Sequence, residues 1–275
     1  GASVVDGKKV FVRGLGDRYT STQLNGAEIP SADPYSRSGS IDIIPSNLID
    51  NIVTVKSFTP DKPGNFSGGT VDIQTKDFPE DLSVSFSASS SYNSQTTLND
   101  NILELTNGSS RHWLGFADKG MDIPGFVGKE LTQIDPIAAG KDAEQAQYIE
   151  NFTNAFNHSM APTKGSAPLN QSYSFSVGNQ VEFLGRPLGF LASATYSNKF
   201  KNYDDGVYAR YALKALSENA SGLENIFNLS DQKTQAEVLW GVTLKSSYKL
   251  NKNNKLSFTG LYNQNGVSTA RKLSG

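Results

Sequence analysis

Residues 82–92 read LSVSFSASSSY, and every odd position from Ser83 to Ser91 is serine. Leu82, Val84, Phe86, Ala88, Ser90 and Tyr92 stand between them. A period of two sends successive side chains to opposite faces of a strand. One face is therefore mostly apolar and the other carries small hydroxyls. Four further stretches follow the same rule. In 173–183 the apolar row is Tyr173, Phe175, Val177, Val181 and Phe183; in 188–200 it is Leu188, Phe190, Ala192, Ala194, Tyr196 and Phe200. In 236–250 it runs from Ala236 through Val238, Trp240, Val242, Leu244 and Tyr248 to Leu250, and in 256–262 it is Leu256, Phe258, Gly260 and Tyr262.

These strands exceed the usual five or six residues and approach the roughly 9–11 that a tilted strand needs to cross a bilayer. Tyr92, Tyr173, Tyr196, Phe200, Tyr248 and Tyr262 lie near strand ends, where an interfacial aromatic girdle falls. The connections give a second pattern. Long ones, over about 93–171 and 201–235, alternate with the short LGRP and NKNN. Outer-membrane barrels pair short periplasmic turns with long external loops in this way. The expected fold class is a transmembrane β-barrel, antiparallel and up-and-down. A soluble sandwich also alternates, but rarely joins such long strands by such unequal loops.

Composition limits the other classes. The 275 residues carry a net charge of -2, which suggests neither a nucleic-acid surface nor an acidic tail. Cysteine is absent, so thiolate and disulfide chemistry is excluded. No run approaches 18 apolar residues, which excludes a membrane-crossing helix. The N-terminus lacks the charged start and apolar core of a signal peptide, as a mature exported chain also would.

Residues 1–80 read differently from 81–275. KKVFVRGLG and STQLNGAEIP are two short strands, the second carrying the turn signal Asn25-Gly26. Ser46 caps a helical turn before a strand over 52–57, and TVDIQTK is another strand. The result is a small mixed α/β unit with little core of its own. In the first long loop, Ala146, Ile149, Phe152, Ala155 and Phe156 fall at helical spacing, with Asp142 and Gln145 as a capping box, which predicts a helix over about 143–158. A second helix is expected over 208–218.

VFVRGLGDRYTSTQLNGAEIP and PSNLIDNIVTVKSFTPDKPGNFSGGTVDIQTK resemble the plug of TonB-dependent outer-membrane receptors over residues 9–76. The plug-motif positions are Arg13, Gly14, Asn25, Gly26, Gly68 and Gly69. WLGFADKGMDIP resembles the first external loop of receptors common in Bacteroidota. Two departures stand out. Val53 and Thr54 replace the family's Glu-Val, so no role of that glutamate carries over, and Asn65-Phe66-Ser67 replaces its Tyr-Gly.

The resemblance implies a plug part over 1–80 and the first five strands of a barrel over 81–275, out of about 22. An odd count leaves an open edge in lipid, so a piece of a longer receptor is expected, with the TonB box before Gly1. It implies energy-coupled uptake of a scarce nutrient (siderophore, vitamin, glycan or peptide) in a Gram-negative outer membrane. The partners are the TonB complex, lipid, the substrate and a surface lipoprotein or other outer-membrane subunit. Alternatives are a plugged barrel serving a larger complex, and a soluble β-rich binding or adhesion protein.

Catalysis finds little support, and neither cofactor nor metal is expected. His112 and His158 are the two histidines and lie far apart in the long loop. GLGDRYTSTQLNG lacks the ending of a phosphate loop. Family plug arginines pair with barrel carboxylates, so Arg13 or Arg18 is expected to pair with Glu182 or Glu237, which alternation puts on the polar faces of their strands. The ordinary alternative is that these charges face water. Trp113, Asp204 and Asp205 are the candidate ligand contacts on the external loops, although an Asp-Asp pair is more often a solvated turn.

Overall fold

The computed structural model describes residues 2–5, 9–31, 36–44, 48–58, 60, 67–75, 81–105, 111–117, 125, 137, 140–156, 161–213 and 222–275. Ser46, His158 and residues 214–218 of the second expected helix lie outside them. The described residues are mostly antiparallel β-sheet with one α-helical segment of any length and no closed barrel. Two compact units divide the chain. The first is Gly1–Ser91 with Gln171–Asn198 and Val238–Asn265; the second is Tyr92–Asn170 with Lys199–Glu237 and Gly266–Gly275.

In chain order the strands of the N-terminal region are β1 (Ala2–Val5), β2 (Lys9–Val12), β3 (Thr20–Leu24), β4 (Ala27–Glu28), β5 (Ile49–Val55) and β6 (Gly69–Thr75). β1 and β2 form an antiparallel pair. The other four make a sheet in the order β4-β3-β6-β5, with β3 parallel to β6 and antiparallel pairing elsewhere. The helical turn expected after Ser46 lies outside the described residues. The helical content among the described residues of this region is two three-residue 3-10 turns, Asp17–Tyr19 and Ile41–Ile43. They serve as links rather than as packed helices, being too short to present an apolar face.

The register sorts the two faces of this sheet. Leu24 lies opposite Ile73 and Thr22 opposite Val71, so these four share one face. Leu24 and Ile73 join Ile29, Ile43, Ile44 and Leu239 in one buried cluster, while Val71 joins Val10 and Val12 in another. Ser21 opposite Thr70 and Gln23 opposite Asp72 make the other face, and all four are buried too. Val53 and Val55 of β5, opposite Asp72 and Thr70, belong to that second face as well, so it mixes polar and apolar side chains.

The remaining strands are β7 (Ser83–Ser91), β8 (Ile102–Glu104), β9 (Thr163–Gly165), β10 (Asn170–Phe183), β11 (Arg186–Leu213), β12 (Leu223–Lys249) and β13 (Lys255–Ser274). Five of them form a sheet in the order β13-β12-β11-β10-β7. All five alternating stretches are strands of this one sheet. The β10–β11 register pairs Phe175 with Ala194 and Val177 with Ala192, and between them Ser174 with Thr195 and Ser176 with Ser193. Apolar therefore meets apolar and hydroxyl meets hydroxyl across the pair. In the first unit much of the apolar row is open: Phe86 is 69 % and Phe258 65 % exposed, with Phe175 and Phe183 also exposed, while Val238 is buried. On β10, β11 and β12 the opposite row is partly covered, with Ser176, Ser193, Thr243 and Ser247 buried, whereas Ser83, Ser87, Ser89 and Ser91 of β7 are exposed. Leu239 sits in that polar row and packs on the four-stranded sheet, as does Leu261.

Two expectations for the long connections are corrected. Residues 201–213 and 223–235, read as loop, continue β11 and β12. The helix expected from 208 is strand as far as Leu213. Both faces there carry charges such as Lys201, Asp204, Asp205 and Arg210. A strand wet on both sides leaves no alternation in the sequence, and backbone pairing with its neighbours holds it instead. In the first long loop, helix α1 (Ala143–Asn154) forms as expected and is capped at Ala155, and residues 157–158 of the expected span lie outside the described residues. Asp142 caps it by accepting the Glu144 N–H at 2.9 Å. β8 and β9 pair with each other.

Candidate functional site

The site begins at the Asn25-Gly26 turn. Leu24 and Ala27 are partners across a two-residue loop, and Asn25 and Gly26 have φ of 51° and 84°. That is the mirror-image hairpin turn for which Asn-Gly is favoured. The turn leaves the Asn25 side chain at the end of β6. Its Oδ1 accepts the Thr75 N–H at 2.9 Å, and its Nδ2 donates to Thr75 Oγ1 at 3.0 Å. Gly26 N–H donates to Asp72 Oδ1 at 2.9 Å. From β12, Lys245 Nζ donates to Thr75 Oγ1 at 3.0 Å and to Thr75 O at 3.3 Å.

These groups border an open cleft of about 730 Å³ within the first unit. Asp50, Asp72 and Gln74 line it from the four-stranded sheet, and Lys245, Lys255, Ser257 and Thr259 from the five-stranded one. The lining balances two carboxylates against two ammonium groups and has no aromatic ring. It offers hydrogen bonds and water contact but no stacking platform. Among the described residues no group of three or more His, Asp or Glu is placed to hold a metal.

A second polar cluster lies in the second unit. Arg271 of β13 donates from Nε and Nη2 to the two oxygens of Asp231, each at 2.8 Å. Tyr203 of β11 donates to Asp231 Oδ2 at 2.8 Å, and the guanidinium lies 4.9 Å above the Tyr208 ring. The Arg271 bonds hold the Asp231 carboxyl down to about 2. The cluster ties three neighbouring strands where both faces are polar. Its groups satisfy one another, as a structural clamp requires. The Asn93–Glu104 stretch is fastened nearby. Asn202 N–H donates to Thr96 Oγ1 and Leu103 N–H to Thr234 Oγ1, while Thr234 donates to Asn202 Oδ1.

The residues singled out by sequence fall as follows. Arg13 was read inside a strand, but β2 ends at Val12; Arg13 and Gly14 form an exposed turn with φ of 58° and 74°, closed by Leu15 N–H on Val12 O. Arg18 is exposed in a 3-10 turn. Glu182 is exposed near the end of β10 and faces Pro187, and Glu237 belongs to the second unit. Lys9–Asp17 and Arg271–Asp231 are ion pairs between described residues, and neither involves Arg13 or Arg18. Burial raises the Asp17 carboxyl, but hydrogen bonds from Lys9 and Ser36 outweigh it and hold the group below its ordinary value.

Trp113 is exposed beside half-buried His112 in a 3-10 turn. Asp204 and Asp205 are exposed on β11 rather than on a loop. Gly69 is a close-approach site, since a Cβ there would lie 2.9 Å from both Val12 Cγ1 and Val55 O. Gly68 is tight against Tyr19 O in the same way. The structure brings Asn25 and Gly26 into the cleft and leaves the other motif residues apart from it. Lys245, Thr75 and Asp72 were missed. A lysine within the polar row of 236–250 was the one visible signal.

Comparison with known proteins finds no family model, no curated protein and no solved structure that matches this chain.

Proposed function

We propose that the chain is part of a TonB-dependent outer-membrane receptor of a Gram-negative bacterium, with residues 1–80 belonging to a plug and 81–275 to a barrel wall. The observation that carries the reading is the two-sidedness of the five-stranded sheet. Its open face presents Phe86, Tyr173, Phe175, Phe183, Phe258 and Tyr262, all exposed. On β10, β11 and β12 its other face buries serine, threonine and glycine, and Leu239 and Leu261 of that face pack on the four-stranded sheet. A soluble protein rarely leaves so wide an apolar face in water, whereas a wall between lipid and a wet lumen has this polarity. The plug-like motifs over 9–76 and the alternation of short and long connections support the same reading.

On this reading the chain performs no covalent chemistry. Substrate binds at the external loops and the outer end of the plug. An inner-membrane complex delivers work to the receptor, the plug rearranges, and substrate enters the periplasm. The serine-lined inner face supports this by offering hydrated, weak and replaceable contacts to an element that must move.

Fractionation of cells that make the full-length protein tests the reading. The account predicts recovery with the outer membrane after alkaline extraction, and substrate uptake that stops when a protonophore collapses the inner-membrane gradient. Recovery as a monomer soluble without detergent would refute it.

A further inference from the structure

The two short turns of the five-stranded sheet meet at one corner of it, within the first unit. Tyr248 Oη donates to Phe183 O at 3.2 Å, and the two rings stand edge to face at 6.2 Å. Arg186 Nη1 donates to Leu250 O, which fixes the guanidinium between the turns. Phe183 and Arg186 are register partners and so share a face. This arginine therefore stands at the end of the exposed apolar row. On the lipid face of a barrel an arginine is costly at the bilayer midplane and nearly free at the interface, which puts this end of the row at headgroup level. Leu184 adds an independent observation. It is 80 % exposed at the tip of the hairpin and holds a φ of 52°, where leucine is strained. Water rewards neither property, whereas a membrane interface rewards the exposure. Arg186, Lys249 and Lys252 are exposed, and none has a carboxylate partner among the described residues. The nearby carboxylates lie elsewhere. Glu182 is in the polar row, opposite Pro187; Asp50 and Asp72 line the cleft with Lys255; Asp81 precedes β7, on the far side of β10.

We infer that this corner binds the headgroup phosphate of anionic phospholipids, with Arg186 as the fork, Lys249 and Lys252 beside it, and Phe183, Leu184 and Leu250 against the upper part of the tails. Arg186 spends one N–H on Leu250 O, and its remaining donors suit two phosphate oxygens. A zwitterionic lipid brings the same phosphate but sets its own cation among three others. A lipid of net negative charge does not, so phosphatidylglycerol is preferred over phosphatidylcholine. Inorganic phosphate gains nothing from the exposed leucines. The site rests on the reading of the sheet as a membrane wall and adds to it which lipid is held and at which end of the strands.

An uncharged fluorophore on Leu184→Cys tests this in the full-length protein, reconstituted into phosphatidylcholine vesicles that hold a minor share of one brominated lipid. The association constant read from quenching should be about fivefold higher for brominated phosphatidylglycerol than for brominated phosphatidylcholine, the factor that one cation near a charged surface is worth. Arg186→Gln together with Lys252→Gln should abolish that preference. Quenching by brominated phosphatidylcholine should persist in this variant, which shows that the hairpin still meets lipid. Inorganic phosphate, added at constant ionic strength, should leave the preference unchanged. Equal association of the two lipids, or a preference that survives the double substitution, would overturn the headgroup site and leave the wall reading standing. A preference abolished by inorganic phosphate would assign the corner to the free ion and overturn the site as well. Quenching by neither lipid would refute the wall reading and the site together.

Discussion

At Asn25 and Gly26 the turn chemistry and the site coincide. The left-handed φ of both residues selects them for the hairpin, and the same geometry delivers the Asn25 amide to Thr75. Asn25→Ala should lower stability by about 1–3 kcal/mol, since it strands the Thr75 N–H, and urea denaturation of the folded protein measures it. Gly69→Ala should cost a similar amount, about 1–3 kcal/mol, because its Cβ would meet backbone oxygen as well as Val12. Asp231 makes a prediction about pH. Its folded pKa, about 2, lies below the unfolded value near 3.9. Its contribution is therefore complete above pH 4 and is lost as pH falls through that interval. The Tm gap between wild type and Asp231→Asn should be open at pH 6 and close between about pH 4 and pH 2. Sequence reading reached Asn25 and Gly26 because turn signals are local. It missed Lys245, Thr75, Asp231 and Arg271 because each matters through a partner distant in the chain, as when Lys245 meets Thr75 across 170 positions.

Among elements, the β10–β11 hairpin shows what alternation can specify. Phe183 and Arg186 are partners, and Leu184 and Gly185 between them have φ of 52° and 71°. The turn is again the mirror-image type, but with an exposed leucine where asparagine is favoured. Leu184→Asn should stabilise the hairpin by about 0.5 kcal/mol, since asparagine tolerates the left-handed region better; thermal unfolding by circular dichroism checks it. The strand cores at 173–183, 188–200, 236–250 and 256–262 were legible because burial of one face writes a period of two. The extensions of β11 to Leu213 and of β12 from Leu223 were not, because charges on both faces erase that period. The same local logic explains α1, whose Asp142 cap and helical spacing were visible.

For the whole molecule, the central claim is that the open face of the five-stranded sheet meets lipid while its other face meets a wet interior. The sequence carried the polarity of each strand but not what the polar rows would cover. The packing of Leu239 and Leu261 on Leu24 and Ile73 supplies that link within the first unit. The most direct measurement attaches a fluorophore to single cysteines in the full-length protein reconstituted into vesicles. Phe86→Cys, Phe175→Cys and Phe258→Cys probe one face, and Ser85→Cys, Ser174→Cys and Ser257→Cys the other. Brominated lipid tails should quench the first three strongly and the second three weakly. Equal, weak quenching on both faces, with iodide in the water quenching all six alike, would contradict the account.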